Sequence, residues 1–221
     1  QLLYGTDGAI VAEHGLIASG GGEALAVAAF GGHGPAGEST GLLVAGHFAG
    51  TLSVAGVPGE KVSAGGLDGF TSHLADGLAQ VWTQGGAADD SATAVPVADA
   101  QLFGSDPGPG PSAAWSFGTV VGDATFFDAP SAAAGIEDAF LLAAVPTSGP
   151  LPDDDFFLRR LGAPGARVRP TAAARLAFGA FAAPGIAVAG SVEGAVDLGF
   201  GAVTQGVDED AFLLALPAAV A

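Results

Sequence analysis

Short apolar segments separated by glycine-rich turns run through the whole chain. Residues 42–54 form an apolar segment, a turn centred on glycine, and a second segment in which apolar and polar residues alternate. Residues 186–198 repeat this arrangement, and residues 115–126 keep a looser version of it. Alternation with a period of two around a tight glycine turn is typical of β-hairpins. The chain is therefore predicted to be all-β, with short antiparallel strands.

One six-residue segment recurs along the chain. Residues 138–143 and 210–215 are both Asp-Ala-Phe-Leu-Leu-Ala. Asp68-Gly69-Phe70 fits the same frame, and Asp7-Gly8 begins a weaker fourth instance. The starting aspartates lie at intervals of 61, 70 and 72 residues. Self-similarity at a fixed period is the signature of a repeat architecture.

Each period contains about four short strands, because a further apolar segment such as residues 78–82 follows the Asp-x-Phe strand. We therefore interpret residues 1–221 as a single repeat domain. Its approximate repeats are residues 7–67, 68–137 and 138–209, and residues 210–216 form a closing strand.

Three segments carry a resemblance to a known repeat: residues 48–51 (Phe-Ala-Gly-Thr), 65–70 (Gly-Gly-Leu-Asp-Gly-Phe) and 81–90, which contain a Trp before a Gly-Gly turn. They resemble the SBBP-type bacterial β-propeller repeat. The resemblance implies tandem four-stranded, β-propeller-like sheets, about three in this chain. Propeller rings close with roughly four to eight blades. The chain is thus either part of a larger ring or completes a ring with copies of itself.

The charge and composition exclude some classes of function. The chain has 23 acidic and 6 basic residues, giving a net charge of −17. Nucleic-acid binders neutralise phosphates with clustered Lys and Arg, so a nucleic-acid partner is excluded. The chain has no Cys, which excludes disulfides and cysteine-based zinc sites. The uncharged residues 176–192 are interrupted by Gly and Pro and predict two strands around a Pro-Gly turn, with no membrane span.

Five of the six basic residues lie close together in the sequence: Arg159, Arg160, Arg167, Arg169 and Arg175. We expect them to balance a local acidic surface such as residues 153–155. The alternative is a binding site for an anion or an acidic partner.

The recurring aspartates Asp68, Asp138 and Asp210 are weak candidates for calcium ligands, because carboxylates at equivalent positions could supply hard oxygen ligands. The interpretation we favour is that each accepts backbone N–H bonds and fixes the turn before its strand. Trp82 and Trp115 are weak candidates for stacking on a sugar, and packing in a core is the more common role of such residues.

These features predict a non-enzymatic bacterial scaffold, secreted or exposed on the cell surface after removal of a signal peptide. Its partner would be a protein, a glycan or copies of itself, and it would need no cofactor other than the calcium considered above. The first alternative is a structural subunit that assembles into a ring or filament. The second is a polysaccharide-acting hydrolase or lyase, which would need a pocket of converging carboxylates or histidines.

Overall fold

The computed structural model describes residues 2–4, 10–13, 15–34, 37–55, 57–75, 78–94, 97–99, 112–126, 129–144, 156–176, 185–198, 202–203 and 208–217. Within these ranges the chain forms strands and no helix, which confirms the all-β prediction. In chain order the strands are β1 (Leu2–Tyr4), β2 (Ile10–Glu13), β3 (Leu16–Ala18), β4 (Gly22–Gly34), β5 (Gly37–Phe48), β6 (Thr51–Val54), β7 (Lys61–Val62), β8 (Asp68–Ala75), β9 (Leu78–Gly86), β10 (Ser91–Ala94), β11 (Val97–Asp99), β12 (Ser112–Val120), β13 (Ala124–Phe126), β14 (Ala129–Ser131), β15 (Asp138–Ala144), β16 (Phe156–Leu161), β17 (Arg167–Leu176), β18 (Gly185–Glu193), β19 (Val196–Asp197), β20 (Ala202–Val203) and β21 (Asp210–Pro217).

Three antiparallel sheets follow one another along the chain. Sheet 1 has the order β4-β5-β8-β9 and is extended at the β9 edge by β13 and β14. Sheet 2 has the order β10-β12-β15-β16, with β11 also paired to β12. Sheet 3 has the order β17-β18-β21. Apart from β13 and β14, strands that are neighbours in a sheet are also close in sequence, so each sheet is a local meander.

In the sequence, a short pair of strands lies between the second and third strands of each sheet. These pairs are β6 and β7 in sheet 1, β13 and β14 in sheet 2, and β19 and β20 in sheet 3. The β6–β7 pair forms a small sheet with β3, and β13 joins the edge of sheet 1 through β9. The second of these pairs therefore connects sheet 2 to sheet 1.

The recurring aspartates begin the third strand of each sheet: Asp68 begins β8, Asp138 begins β15 and Asp210 begins β21. The predicted repeat boundaries fall at these residues, whereas each sheet begins two strands earlier. Asp7, the weaker fourth instance, lies outside the described residues. The aspartates therefore mark a recurring position within the sheets and not their first strands.

The three sheets share one register. In each, a glycine of the second strand is paired with the phenylalanine of the third: Gly46 with Phe70, Gly118 with Phe140 and Gly190 with Phe212. A Cβ atom built on Gly190 would lie 2.7 Å from the Phe212 ring and would also collide with the carbonyl oxygen of Arg169. Glycine in a strand commonly marks such a close approach by a neighbour.

The sheets stack face to face, with a hydrophobic core between each neighbouring pair. The core between sheets 1 and 2 includes Leu43, Trp82, Val120, Phe126, Phe140 and Leu142. The core between sheets 2 and 3 includes Trp115, Phe117, Leu141, Val168, Ile186, Val188 and Leu214. A third core, including Phe48, Leu52, Val54, Phe70 and Leu74, lies between the remaining face of sheet 1 and the small sheet β3-β6-β7.

Strand β15 shows how the sequence serves two cores at once. Phe140 and Leu142 point toward sheet 1, while Leu141 and Ala143 point toward sheet 3. Successive side chains of a strand face opposite sides, so a strand buried on both faces has a continuous apolar sequence. This explains the run Ala-Phe-Leu-Leu-Ala without alternating polar residues.

Of the uncharged residues 176–192, Leu176 ends β17 and residues 185–192 lie in β18, whereas the predicted turn around Pro184 lies outside the described residues. In the part of the chain that the structure describes, no helix is long and apolar enough to cross a membrane.

We expect Gly190→Ala to lower the free energy of unfolding by about 1–3 kcal/mol, because the added methyl group overpacks the Phe212 contact. Gly15→Ala is the matched control, since nothing lies within 4 Å of a Cβ at that position. Chemical denaturation, monitored by tryptophan fluorescence, measures the unfolding free energies of both variants. Equal unfolding free energies of the two variants would contradict the requirement for glycine at position 190, where β18 pairs with β21.

Candidate functional site

The aspartates that begin β8 and β15 hold the turns before those strands. The Ala64 N–H donates to Asp68 Oδ2 at 2.7 Å, and the Ala134 N–H donates to Asp138 Oδ2 at 2.8 Å. In both cases the donor lies four residues before the aspartate. This confirms the turn-fixing interpretation for these two residues.

A glycine of the neighbouring strand segment lies against each of these carboxyl groups. A Cβ atom on Gly85 would lie 2.5 Å from Asp68 Cγ, and one on Gly162 would collide with the Asp138 carboxylate. The glycines therefore make room for the buried carboxyl groups. In both sheets the aspartate and the glycine form one unit at the start of the third strand.

Asp138 also forms a buried ion pair with Arg160. Arg160 Nε donates to Asp138 Oδ2 at 2.7 Å, and 8% and 0% of the two side chains, respectively, are exposed. Arg160 further donates to the carbonyl oxygens of Ser131, at 2.9 Å, and of Gly122. One guanidinium thus pairs with a buried carboxylate oxygen and also binds two carbonyl groups around β13 and β14.

Two further arginines, Arg167 and Arg169, also pair with acids distant in the sequence. Arg167 pairs with Glu193 at 2.9 Å, and Arg169 pairs with Glu137 at 2.7 Å and more weakly with Glu209. The prediction that residues 153–155 balance this cluster falls outside the described residues. These pairs are largely exposed and each contributes little to stability.

The structure does not bring the three calcium candidates together, because Asp68, Asp138 and Asp210 begin strands of three different sheets. Asp138 is neutralised by Arg160, and Asp210 is exposed. Within the described ranges, no three acidic or histidine side chains are grouped as a metal site. Calcium binding stays a prediction from the sequence.

Asp138→Ala should lower the free energy of unfolding by about 3 kcal/mol or more, because it leaves the buried Arg160 without its carboxylate. Asp210→Ala, in the identical six-residue segment, should cost less than about 1 kcal/mol because Asp210 is exposed. Urea denaturation of the two variants provides the comparison. Similar losses would show that the ion pair is not the source of the effect.

Asp90 lies where sheet 1 meets sheet 2, and no motif in the sequence pointed to it. Asp90 accepts N–H bonds from Gly86 and Val121, both at 2.7 Å, and so links the end of β9 to the end of β12. Burial raises the pKa of Asp90 to about 6, and the carboxylate of Asp68 contributes in the same direction. Burial also lowers the pKa of His73 to about 4. The only sequence signal was the adjacent pair Asp89-Asp90.

These two shifts have opposite effects on stability. The His73 contribution is fully present above its ordinary pKa of 6.5 and is lost as the pH falls toward about 4. The raised pKa of Asp90 gives a contribution that is fully present below 3.8 and is lost as the pH rises through about 6. Between about pH 4 and 6 the two contributions therefore offset each other.

When either titratable group is removed, the pH dependence of the unfolding free energy should follow the other group. We expect His73→Leu to gain about 2 kcal/mol of unfolding free energy as the pH falls from 7 to 4, because only the Asp90 contribution remains. Asp90→Asn should change in the opposite direction over the same range. Denaturation curves at several pH values measure both, and parallel pH profiles for the two variants would contradict this assignment.

The two tryptophans lie inside the cores. Trp115 has no exposed surface and stacks on Phe117 with ring centroids 6.4 Å apart, and only 7% of Trp82 is exposed. A sugar could reach either ring only after the sheets separated. Both tryptophans are therefore core-packing residues, and the structure does not support the sugar-stacking alternative.

Sheet 3 differs from the other two at its third strand. β15 has β12 on one side and β16 on the other, whereas the sequence-matched strand β21 pairs only with β18 among the described strands. We call the side of β21 opposite β18 the open edge. Leu141 of β15 is 3% exposed, but its counterpart Leu213 of β21 is 76% exposed. The same side chain is thus buried in one sheet and accessible in the other.

The face of sheet 3 that points away from sheet 2, here called the outer face, combines apolar and charged parts. Ala187 and Ala189 stand where Trp115 and Phe117 stand in sheet 2, as the strand pairing shows. Leu213 is the largest apolar side chain exposed on this face. The ion pairs of Arg167 and Arg169 lie at the other end. Ala187, Ala189 and Leu213 form the apolar part of the outer face, and together with the open edge they are our candidate interaction surface.

In comparisons with known proteins, no family model matches the chain, and neither a curated protein nor a solved structure is found to be similar to it.

Proposed function

We propose that this chain is a non-enzymatic structural scaffold that assembles with copies of itself through sheet 3. The observation that carries the proposal is the contrast between two strands of the same sequence. β15 has a paired strand on both sides and a sheet on both faces, while β21 has one described neighbour and an exposed Leu213. An added strand at the open edge would give β21 a second paired neighbour, as β15 already has.

The chemistry of the open edge supports this proposal. Soluble proteins usually protect an edge strand with charges, prolines or a bulge. β21 has Asp210 and Pro217 at its ends and only uncharged, apolar residues between them. The central part of the strand is therefore suited to main-chain pairing with another strand.

The propeller-like and extracellular aspects belong to the same proposal. Sheets of four meandering strands, stacked in tandem, suit a propeller-like arrangement, and three sheets are fewer than the roughly four to eight of a closed ring. The net charge of −17 and the lack of cysteine are compatible with a secreted or surface-exposed bacterial scaffold. A glycan partner is less favoured because both tryptophans are buried.

The charge also sets the conditions under which assembly should occur. Two copies that each carry −17 repel one another at long range, and added salt screens this repulsion. Contacts between apolar strands are much less sensitive to salt. Association should therefore increase with ionic strength.

We expect multi-angle light scattering to show a dimer or larger species whose population rises with protein and salt concentration. Leu213→Lys should reduce association at least tenfold and leave the unfolding free energy nearly unchanged, because the side chain is exposed. Ile17→Lys, at a 70% exposed position on β3, is the matched control and should associate like the wild type. A strict monomer at millimolar concentration and high salt would contradict the proposal.

A further inference from the structure

The sequence around the N-terminal strands is similar to that of the transition from sheet 2 to sheet 3. Residues 161–168 read Leu-Gly-Ala-Pro-Gly-Ala-Arg-Val, and residues 4–11 read Tyr-Gly-Thr-Asp-Gly-Ala-Ile-Val. Both glycines, the alanine and the valine coincide at the same spacing. In the first of these segments, Gly165 has a positive φ of 81°, so the glycine serves the turn.

The strand boundaries coincide in the same alignment. β16 ends at Leu161, aligned with Tyr4, where β1 ends. β17 begins at Arg167, aligned with Ile10, where β2 begins. β16 is the fourth strand of sheet 2, so β1 holds the place of a fourth strand in this alignment, although its residues Leu-Leu-Tyr differ from the aligned Arg-Arg-Leu of β16. Sheet 3 is the sheet whose fourth strand is missing from the described part of the chain.

We propose that strand β1 of a second copy of this chain pairs with the open edge of β21 and completes sheet 3 as its fourth strand. This inference rests on the proposed function and names the segment that carries out the assembly. Within one chain, β1 pairs with β2 and belongs to a separate two-stranded sheet. Among the described strands, the other side of β1 has no partner and can receive β21.

The register follows from sheet 2. There Ala139 is paired with Leu161 and Leu141 with Arg159. When this register is applied to sheet 3, Ala211 pairs with Tyr4 of the second copy, and Leu213 pairs with Leu2 of that copy. The contact then joins two uncharged segments of highly acidic chains, and it places a leucine beside the exposed Leu213.

The contact is head-to-tail, because β1 of one copy meets β21 of the next. Such heterologous contacts generate closed rings when the rotation closes, and filaments when it does not. Two copies would bring together six large sheets, within the roughly four to eight of known propeller rings. The predicted product is therefore a small closed ring or an extended polymer of the whole chain.

The lack of cysteine allows a direct test, because only introduced thiols can form disulfides. Chains carrying Tyr4→Cys are mixed with chains carrying Ala211→Cys and oxidised, and covalent dimers are counted on a non-reducing gel. The control mixture uses Ala215→Cys, which is also exposed and lies on the same face, about 13 Å farther along the strand. A disulfide requires Cα atoms within about 7 Å, so only the first mixture should cross-link.

We expect at least tenfold more heterodimer with Ala211→Cys than with Ala215→Cys, and competition by a synthetic peptide of residues 1–13. Equal cross-linking, or none, in a sample whose unmodified chain associates would overturn the β1 assignment and leave the proposed function standing. A disulfide formed within one chain by the double variant Tyr4→Cys/Ala211→Cys would overturn the role of a second copy. A monomeric unmodified chain would remove both proposals together.

Discussion

Face-to-face stacking requires the strands of sheet 2 to bury side chains on both faces. In β15 this places Phe140 against sheet 1 and Leu141 against sheet 3, so the whole strand is apolar. The close spacing of strands then requires glycine where an aromatic ring crosses its neighbour, as at Gly190. Apolar runs, glycines and turns at regular intervals are consequences of one requirement, the burial of both faces of a sheet.

Buried backbone turns create a second requirement, and two aspartates near the contact of sheets 1 and 2 meet it differently. Asp138 is paired with Arg160, whose guanidinium also donates to carbonyl groups around β13 and β14. Asp90 links the ends of β9 and β12 through two backbone N–H bonds, and its pKa is raised by burial. The link made by Asp90 is therefore sensitive to pH.

Sheet 3 shows what the same strand does without a neighbour. Leu213 occupies the register position of Leu141 and differs from it only in surroundings. The large residues of sheet 2 are replaced by alanines on the outer face of sheet 3, while the open edge keeps its apolar sequence. This combination favours pairing at the edge as the main contact, with the outer face in a supporting role.

The sequence by itself determined the all-β class, the recurring Asp-x-Phe strand and the turn-fixing role of Asp68 and Asp138, because these depend on local periodicity and on contacts four residues apart. Tertiary structure decided which face of each strand is buried, that Arg160 pairs with Asp138, and that Asp90 links two sheets. These contacts join residues about 20 to 30 positions apart. Identical segments at residues 138–143 and 210–215 have different exposure, so no local pattern could distinguish them; only the arrangement of neighbouring sheets does.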